Sequence, residues 1–379
     1  MIEAPIGFAH ETGNAVDRTS PRRSAVVLCT DRNMLIPALF VADAVATHSG
    51  ADRAFDIVIV TDPEAAGETE RRWMADRGVR HHVEDFADLK AVIRLEGRLT
   101  TATLVKLVLA RIFEGQYERI LYLDTDLTIH GDVSGLLGLD LGGHAIAAKG
   151  SGGGWATESQ REQNEKHFAA LGMTRPYRYF NTGVLVIDVE AWNRDDLTDR
   201  ALDFVRRNPE ICGLPDEDSL NAVLDGHAAF LSPIWNMAAR RLWLTRLHRV
   251  VDPVIIHYSG HDKPWQRFGR HKRLFPDGAA FALYRDFVRR SPWAGWLGTQ
   301  WRLRDLRRSL KYEIVLVWRA IRGRSREPNR AEIARAMDRF AEGCRTGDFI
   351  DVSQGIATRT GGRLRLADRR MAAAKDEAQ

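Results

Sequence analysis

Cysteine is scarce: the 379 residues contain three, Cys29, Cys212 and Cys344, far apart and without paired spacing. That argues against a disulfide framework and against a thiolate zinc site, and it suits a reducing compartment. Long apolar runs are also missing. No stretch approaches the roughly 20 residues a membrane helix needs, and residues 1–23 are polar and irregular, with no apolar core of signal-peptide length. Neither secretion nor a transmembrane anchor is expected; the expected location is cytoplasmic. No internal repeat is visible. An excess of one charge sign is absent too. With 55 Lys and Arg against 51 Asp and Glu, the formal net charge of +4 is too small to imply a nucleic-acid partner.

The composition that remains, 44% hydrophobic and 28% charged, is that of a soluble chain with ample material for a core. Ser24–Thr30 reads as an apolar strand ending in Thr30-Asp31-Arg32-Asn33. A helix pattern follows from Leu35 to His48, closed by Ser49-Gly50. Phe55–Thr61 is a second strand ending in Asp62, Glu64–Arg77 suits a helix ended by Gly78, and Val79–Val83 is a third strand. This β-α-β-α-β order predicts an α/β fold with a doubly wound sheet that binds ligands beyond the C-terminal strand ends. No GxGxxG follows the first strand, so the dinucleotide fingerprint is missing. Asp31 sits where a ligand would bind, and equally where a helix N-terminal acid would stand beside Asn33.

The stretch Arg119–Asp126 carries the chemistry. Arg119–Leu123 has the composition of an inner parallel strand. Asp124 and Asp126, flanking Thr125, are two apart, and alternate residues of an extended segment point to one side. Two converging carboxylates repel unless a cation lies between them, and a divalent metal holding a phosphate-bearing substrate is the natural occupant. The bland alternative is an acidic turn. Before it, residues 100–113 read as one helix in which Lys106 is either solvated or leans over a phosphate.

Further along, Gly142–Ala148 suits a strand. The glycine-rich Lys149–Gly154 has no P-loop spacing and reads as a surface loop or lid before a polar helix from Glu158 to Leu171. Phe180-Asn181-Thr182-Gly183 opens the strand Val184–Asp188 and serves either as a turn cap or as a sugar-hydroxyl contact. A helix beginning at Trp192 runs past Arg206. Asp216-Glu217-Asp218 precede an apolar helix; one acid suffices for a cap, so three exceed that role. Val254–His257 is a last strand, whose terminal histidine is either a metal ligand or a structural histidine. Beyond it, Gly260 and Lys263 would offer a backbone amide and an ammonium to a diphosphate.

In this order the blocks resemble glycosyltransferase family 8. They are Leu28–Asn33, Tyr122–Asp126, Phe180–Leu185, Asp216–Asn221 and His257–Trp265, and the resemblance covers about Ser24 to Phe268. It implies a GT-A fold and a retaining transfer of glucose or galactose from a UDP-hexose, with Mn2+ or Mg2+, to a saccharide or lipid-linked glycan. Carried over by position, Asp124, Asp126 and His257 would bind the metal. Thr30, Asp31 and Asn33 would hold the nucleoside; Lys106, Thr125, Gly260 and Lys263 would complete the donor site. Asn181, Asp216 and Glu217 would surround the donor sugar. Two departures stand out. The bacterial family often has Gln in place of Glu217, and a carboxylate there serves either as nucleophile or as electrostatic stabiliser. The family commonly has Arg in place of Lys106; Lys keeps the charge and loses the bidentate fork.

The expected organisation is an irregular segment at 1–23, a GT-A domain with a single mixed sheet at 24–292, a basic, Trp-rich helical extension at 293–343, and a charged, unstructured tail at 344–379. Between Trp296 and Arg326 nine Lys or Arg face two acids beside an apolar stripe of helical spacing. That pattern fits either an anionic membrane surface, on the inner face, or a helix packed on the domain. Two rival functions remain. A sugar-nucleotide nucleotidyltransferase would show a Gly-rich phosphate loop, which Ala25–Asn33 lacks. A non-catalytic sugar-binding regulatory protein would not need all three metal ligands.

Overall fold

The computed structural model describes residues 24–87, 89, 101–151, 158–239, 242, 253–260, 263–266 and 279–300, scattered positions between 307 and 322, and residues 356–360 and 363–367. The chain forms two compact units whose boundaries fall inside the acidic stretch. The first takes in the described residues up to Thr125 and then Val133–Leu231; the second takes in Asp126–Asp132 and the described residues from Ser232.

The first unit is built on a seven-stranded sheet. Its strands are β1 (Ser24–Thr30), β2 (Phe55–Thr61), β3 (Val79–Val83), β4 (Arg119–Leu123), β6 (Ile146–Gly150), β7 (Phe180–Asp188) and β8 (Ala229–Phe230), in the order β3-β2-β1-β4-β7-β6-β8. Strands β3, β2, β1 and β4 are parallel, and β7 runs antiparallel to both β4 and β6. Ala25, Val26, Val27 and Leu28 are all fully buried, which is why β1 shows a continuous apolar run rather than alternation. The connections from β1 move outward through β2 and β3 and then return to β4 on the other side of β1. That reversal is the switch point at which doubly wound sheets bind ligands, and Thr30 and Asp124 stand at its two C-terminal strand ends. Helix Leu35–Ser49 follows β1 and ends at Gly50, whose φ of +77° suits a residue without a Cβ.

Three expectations change. The helix expected over 100–113 is broken into Thr101–Val105 and Leu109–Ile112, with Leu107 and Val108 donating three residues back, to Leu104 and Val105. The break falls at Lys106. Strand β7 begins at Phe180, so Asn181-Thr182-Gly183 lie within the ladder rather than at a turn before it. The helix expected from Trp192 is two helices, Val189–Arg194 and Leu197–Arg207, parted at Asp196, which has φ +50°. In the glycine-rich stretch, Gly150 is the last residue of β6 and residues 152–157 lie outside the described set.

The second unit holds a three-stranded sheet in the order β5 (Leu127–Ile129), β10 (Ile255–His257) and β9 (Met237–Ala238). His257 pairs with Leu127 across antiparallel strands, so the histidine is in register with the residue after Asp126. Helix Ala279–Arg289 seats Tyr284 against Trp265, with ring centroids 5.3 Å apart. In the basic extension, the described positions 307, 310, 311, 314, 317, 318 and 321 are helical. In the tail, β11 (Ile356–Thr360) pairs antiparallel with β12 (Arg363–Ala367), where no regular structure was expected. No helix among the described residues is long and apolar enough to cross a membrane. Residues 1–23 and the helix expected over 330–343 lie outside the described residues.

Candidate active site

Lys106 is the buried centre of the first unit's polar cluster. Its side chain is 2% exposed, and Nζ sits 3.1 Å from Asp124 Oδ1, 2.7 Å from Asp216 Oδ2 and 3.4 Å from the Thr182 carbonyl. An unpaired buried ammonium would lose its proton. Here burial would lower the Lys106 pKa, but Asp124 and Asp216 outweigh it and hold the group charged. The Tyr122 hydroxyl donates to the same Asp124 oxygen at 2.6 Å. Lys106 is thus buried between two carboxylates, where a solvated lysine was one of the two readings.

Each of the three consecutive acids has its own partners. Asp216 accepts from Lys106 and from Thr182 Oγ1 at 2.8 Å. Glu217 Oε2 accepts from Asn181 Nδ2 at 2.7 Å and from the Thr182 amide at 3.4 Å. Asp218, fully buried, accepts from His167 Nε2 and Tyr179 Oη, both at 2.7 Å, and from the Leu214 amide at 2.8 Å. Asn221 ties the same helix, Pro215–Leu224, to β7 by accepting from the Phe180 amide and donating to the Phe180 carbonyl, both at 2.8 Å. Burial, with Asp216 beside it, pushes the Glu217 carboxyl up to about 7. A carboxylic acid that titrates near neutrality inside a polar cluster marks a functional candidate.

At the end of β1, Asp31 holds the turn ahead of the helix. Its Oδ1 accepts from the amides of Asn33 and Met34, each at 3.0 Å, and Thr30 Oγ1 donates to the Asp31 carbonyl. Asn33 is exposed. Both sequence readings of Asp31 place it at this strand end, where its carboxylate holds a turn through the Asn33 and Met34 amides. Asp62 stands at the matching end of β2, where Thr61 pairs with Thr30. Cys29 and Cys212 are free and buried, and burial pushes both thiols up, Cys212 to about 12; neither is a nucleophile there.

In the second unit, Asp126 is 8% exposed. Its Oδ1 is 3.2 Å from His257 Nε2, and its Oδ2 takes a short contact from Lys263 Nζ. Burial would raise the Asp126 pKa, yet His257 and Lys263 hold it well below the usual carboxylate range. His257 Nδ1 faces Asn236 Oδ1 at 3.0 Å. That second bond orients the ring with Nε2 toward Asp126, as the outer partner of a metal-binding histidine does. A neutral imidazole donating Nδ1–H to Asn236 presents Nε2 as an acceptor beside the carboxylate, a donor pair that could hold a divalent cation. Carboxylate and imidazole are donors that suit Mn2+ or Mg2+ rather than a thiophilic ion. Lys263 Nζ also donates to the Tyr258 carbonyl at 3.2 Å. Gly260 is exposed with φ +98°, a backbone shape in which an amide can approach a ligand closely.

Within the first unit, then, Lys106, Asp124, Asn181, Asp216 and Glu217 are brought together, while Thr30, Asp31 and Asn33 occupy the neighbouring strand end. Asp126, His257 and Lys263 come together in the second unit. Tyr122, Asn236, Tyr179 and His167 were given no individual role from sequence. Only Tyr122, alternating with Asp124 on the strand, left a signal that could have been read.

The chain matches glycosyl transferase family 8 over residues 25–269. It is 29% identical over 167 residues to general stress protein A of Bacillus subtilis (strain 168), covering 41% of this chain and 55% of that protein. It is also 29% identical over 185 residues to the lipopolysaccharide 1,2-glucosyltransferase of Escherichia coli (strain K12), covering 46% of this chain and 50% of that one. The chain thus spans about half the length of these curated relatives. The galactosyltransferase LgtC, solved with donor and acceptor sugar analogs, superposes with a TM-score of 0.57 at 21% identity, over 71% of this chain and 96% of that one. That likeness shows the GT-A fold. With the family match extending over most of its length, the chain belongs to glycosyltransferase family 8.

Proposed function

We propose that this chain is a retaining hexosyltransferase. It moves glucose or galactose from a UDP-sugar to a saccharide or lipid-linked glycan, with Mn2+ or Mg2+ held by Asp124, Asp126 and His257. The observation that carries this reading is the buried Asp126 between His257 and Lys263, with the histidine oriented by Asn236. Asp124 joins the set through the chain itself, since only Thr125 separates the two acids. When bound, the ion supplies positive charge to the diphosphate leaving group. The glucosyltransferase and galactosyltransferase relatives support the choice of sugar and a glycolipid acceptor.

The residues divide the work. Thr30, Asp31 and Asn33 hold uracil and ribose at the switch point. Lys263 and the Gly260 amide bind the diphosphate, so charge that develops as the anomeric C–O bond breaks meets donors already in place. The bond electrons leave on the diphosphate oxygen. The acceptor hydroxyl attacks the same face of the sugar, and its proton passes to that phosphate oxygen. Glu217, as a carboxylate, stabilises the oxocarbenium-like carbon, while Asn181 and Asp216 fix its position. Replacing Asp126 or His257 by Ala removes metal-dependent UDP binding while the fold persists; unchanged binding in either variant contradicts the metal assignment. Release of UDP from UDP-glucose or UDP-galactose with manganese separates this reading from a nucleotidyltransferase, which would instead release pyrophosphate from a nucleoside triphosphate.

The basic extension adds a membrane partner. Leu310, Ile314, Val317 and Ile321 are 53–79% exposed at spacings of one helical face, and exposed Arg307, Lys311 and Arg322 accompany them. An apolar stripe with basic neighbours suits an anionic lipid surface, where a lipid-linked acceptor resides. Deleting residues 296–379 shifts the protein from pellet to supernatant in sedimentation with anionic liposomes; equal partitioning of the two forms rules this out.

A further inference from the structure

His167 takes no part in the mechanism above, yet it bonds the most deeply buried of the three acids. It lies on helix Glu158–Ala170, its side chain 35% exposed, with Nε2 2.7 Å from Asp218 Oδ1. The same oxygen accepts from Tyr179 Oη at 2.7 Å. Burial, with the Glu217 and Asp218 carboxylates close to the Tyr179 hydroxyl, pushes that hydroxyl well above its ordinary range. A hydrogen-bonded line thus runs from a partly exposed imidazole through Asp218 to Tyr179, whose hydroxyl lies close to Glu217. Stacking of Phe168 on Tyr179, at 4.3 Å between ring centroids, holds the two ends of the line in place.

We propose that His167 is a positioning residue of this site: by donating to Asp218 it fixes the carboxylate that holds the Tyr179 hydroxyl against Glu217. This rests on the reading that Glu217 faces the donor sugar. The assignment follows from acceptor counting. Asp218 receives three donors, from His167, Tyr179 and the Leu214 amide, and a buried carboxylate stripped of one is poorly satisfied. The other groups facing this line are Asp216 and Lys106, next to Glu217, and Cys212, next to Asp218. None of them bridges solvent to Glu217 as His167 does.

The test uses the full chain with manganese and UDP-glucose or UDP-galactose, following UDP release between pH 5.5 and 9. His167→Ala lowers kcat about tenfold, the worth of one hydrogen bond to a charged group. It leaves KM for the donor unchanged and displaces the near-neutral limb of the kcat profile, because the Tyr179 hydroxyl beside Glu217 is no longer fixed. His167→Gln, which keeps a donor near Nε2, regains most of the rate. Tyr179→Phe, which keeps the stacking, loses a similar amount, and the double variant loses no more than either single one. A wild-type rate and profile in His167→Ala, no recovery in His167→Gln, or additive losses each overturn the proposal. Binding of UDP and manganese by the wild-type protein reads the functional assignment separately. A readout without turnover is the change in unfolding free energy between pH 5 and pH 8 that Glu217→Gln abolishes; His167→Ala alters it, and an unaltered value overturns the proposal.

Discussion

The two aspartates of the acidic stretch each carry a lysine, and the two pairs differ in kind. Lys106, 2% exposed, is enclosed between Asp124 and Asp216 and further bound by the Thr182 carbonyl. Lys263, 23% exposed, holds Asp126 and one carbonyl. A buried cation enclosed by two anions is part of the framework, because removing it leaves buried carboxylates facing each other. A half-open cation on one carboxylate is free to exchange partners, as a residue that meets a diphosphate must. On the proposed reading, the comparison separates a lysine that builds the site from one that would meet the diphosphate.

The comparison is broken most severely at Lys106. Lys106→Met leaves Asp124 and Asp216 facing each other without a cation, and the expected destabilisation is about 3–5 kcal/mol in chemical unfolding. A loss below 1 kcal/mol would place Lys106 with the exchangeable groups. Next is Glu217. Its folded pKa of about 7 stands above the 4.5 of an ordinary glutamate. The stability it contributes is therefore fully present below about pH 4.5 and is lost as the pH rises through about 7. Glu217→Gln consequently unfolds at higher denaturant than the parent at pH 8, by an amount of order 3 kcal/mol, and the advantage disappears toward pH 4.5. Equal stability of the two proteins at both pH values contradicts the burial argument. The smallest effect on the fold is at Lys263. Lys263→Ala changes stability by roughly 1 kcal/mol or less, yet weakens UDP binding about tenfold through loss of a charge-assisted contact; a fall in stability like that of Lys106→Met would erase the distinction.

Much of the frame is legible because it rests on local signals. The apolar runs at Ala25–Leu28, Ile57–Val60 and Ile120–Leu123 predict the inner strands, and the Asp-x-Asp after the last one predicts where chemistry gathers. What is illegible depends on partners distant in the chain. Helical spacing continues through Leu104, Leu107, Val108 and Ile112, so nothing local announces a break at Lys106, whose partners Asp124 and Asp216 lie far along the chain. Asn181-Thr182-Gly183 has turn composition, and only Asp216 and Glu217, more than thirty residues on, satisfy those side chains inside a strand. His167 stands on a polar helix, where a histidine carries no pattern. The sheet of the second unit is made of strands of two and three residues, too short for periodicity to register.

The most direct test of the account is calorimetric titration of UDP into the full chain with and without manganese. The account predicts binding that requires the metal and is lost in Asp126→Ala. Metal-independent binding of equal strength, or no binding with metal present, would contradict it.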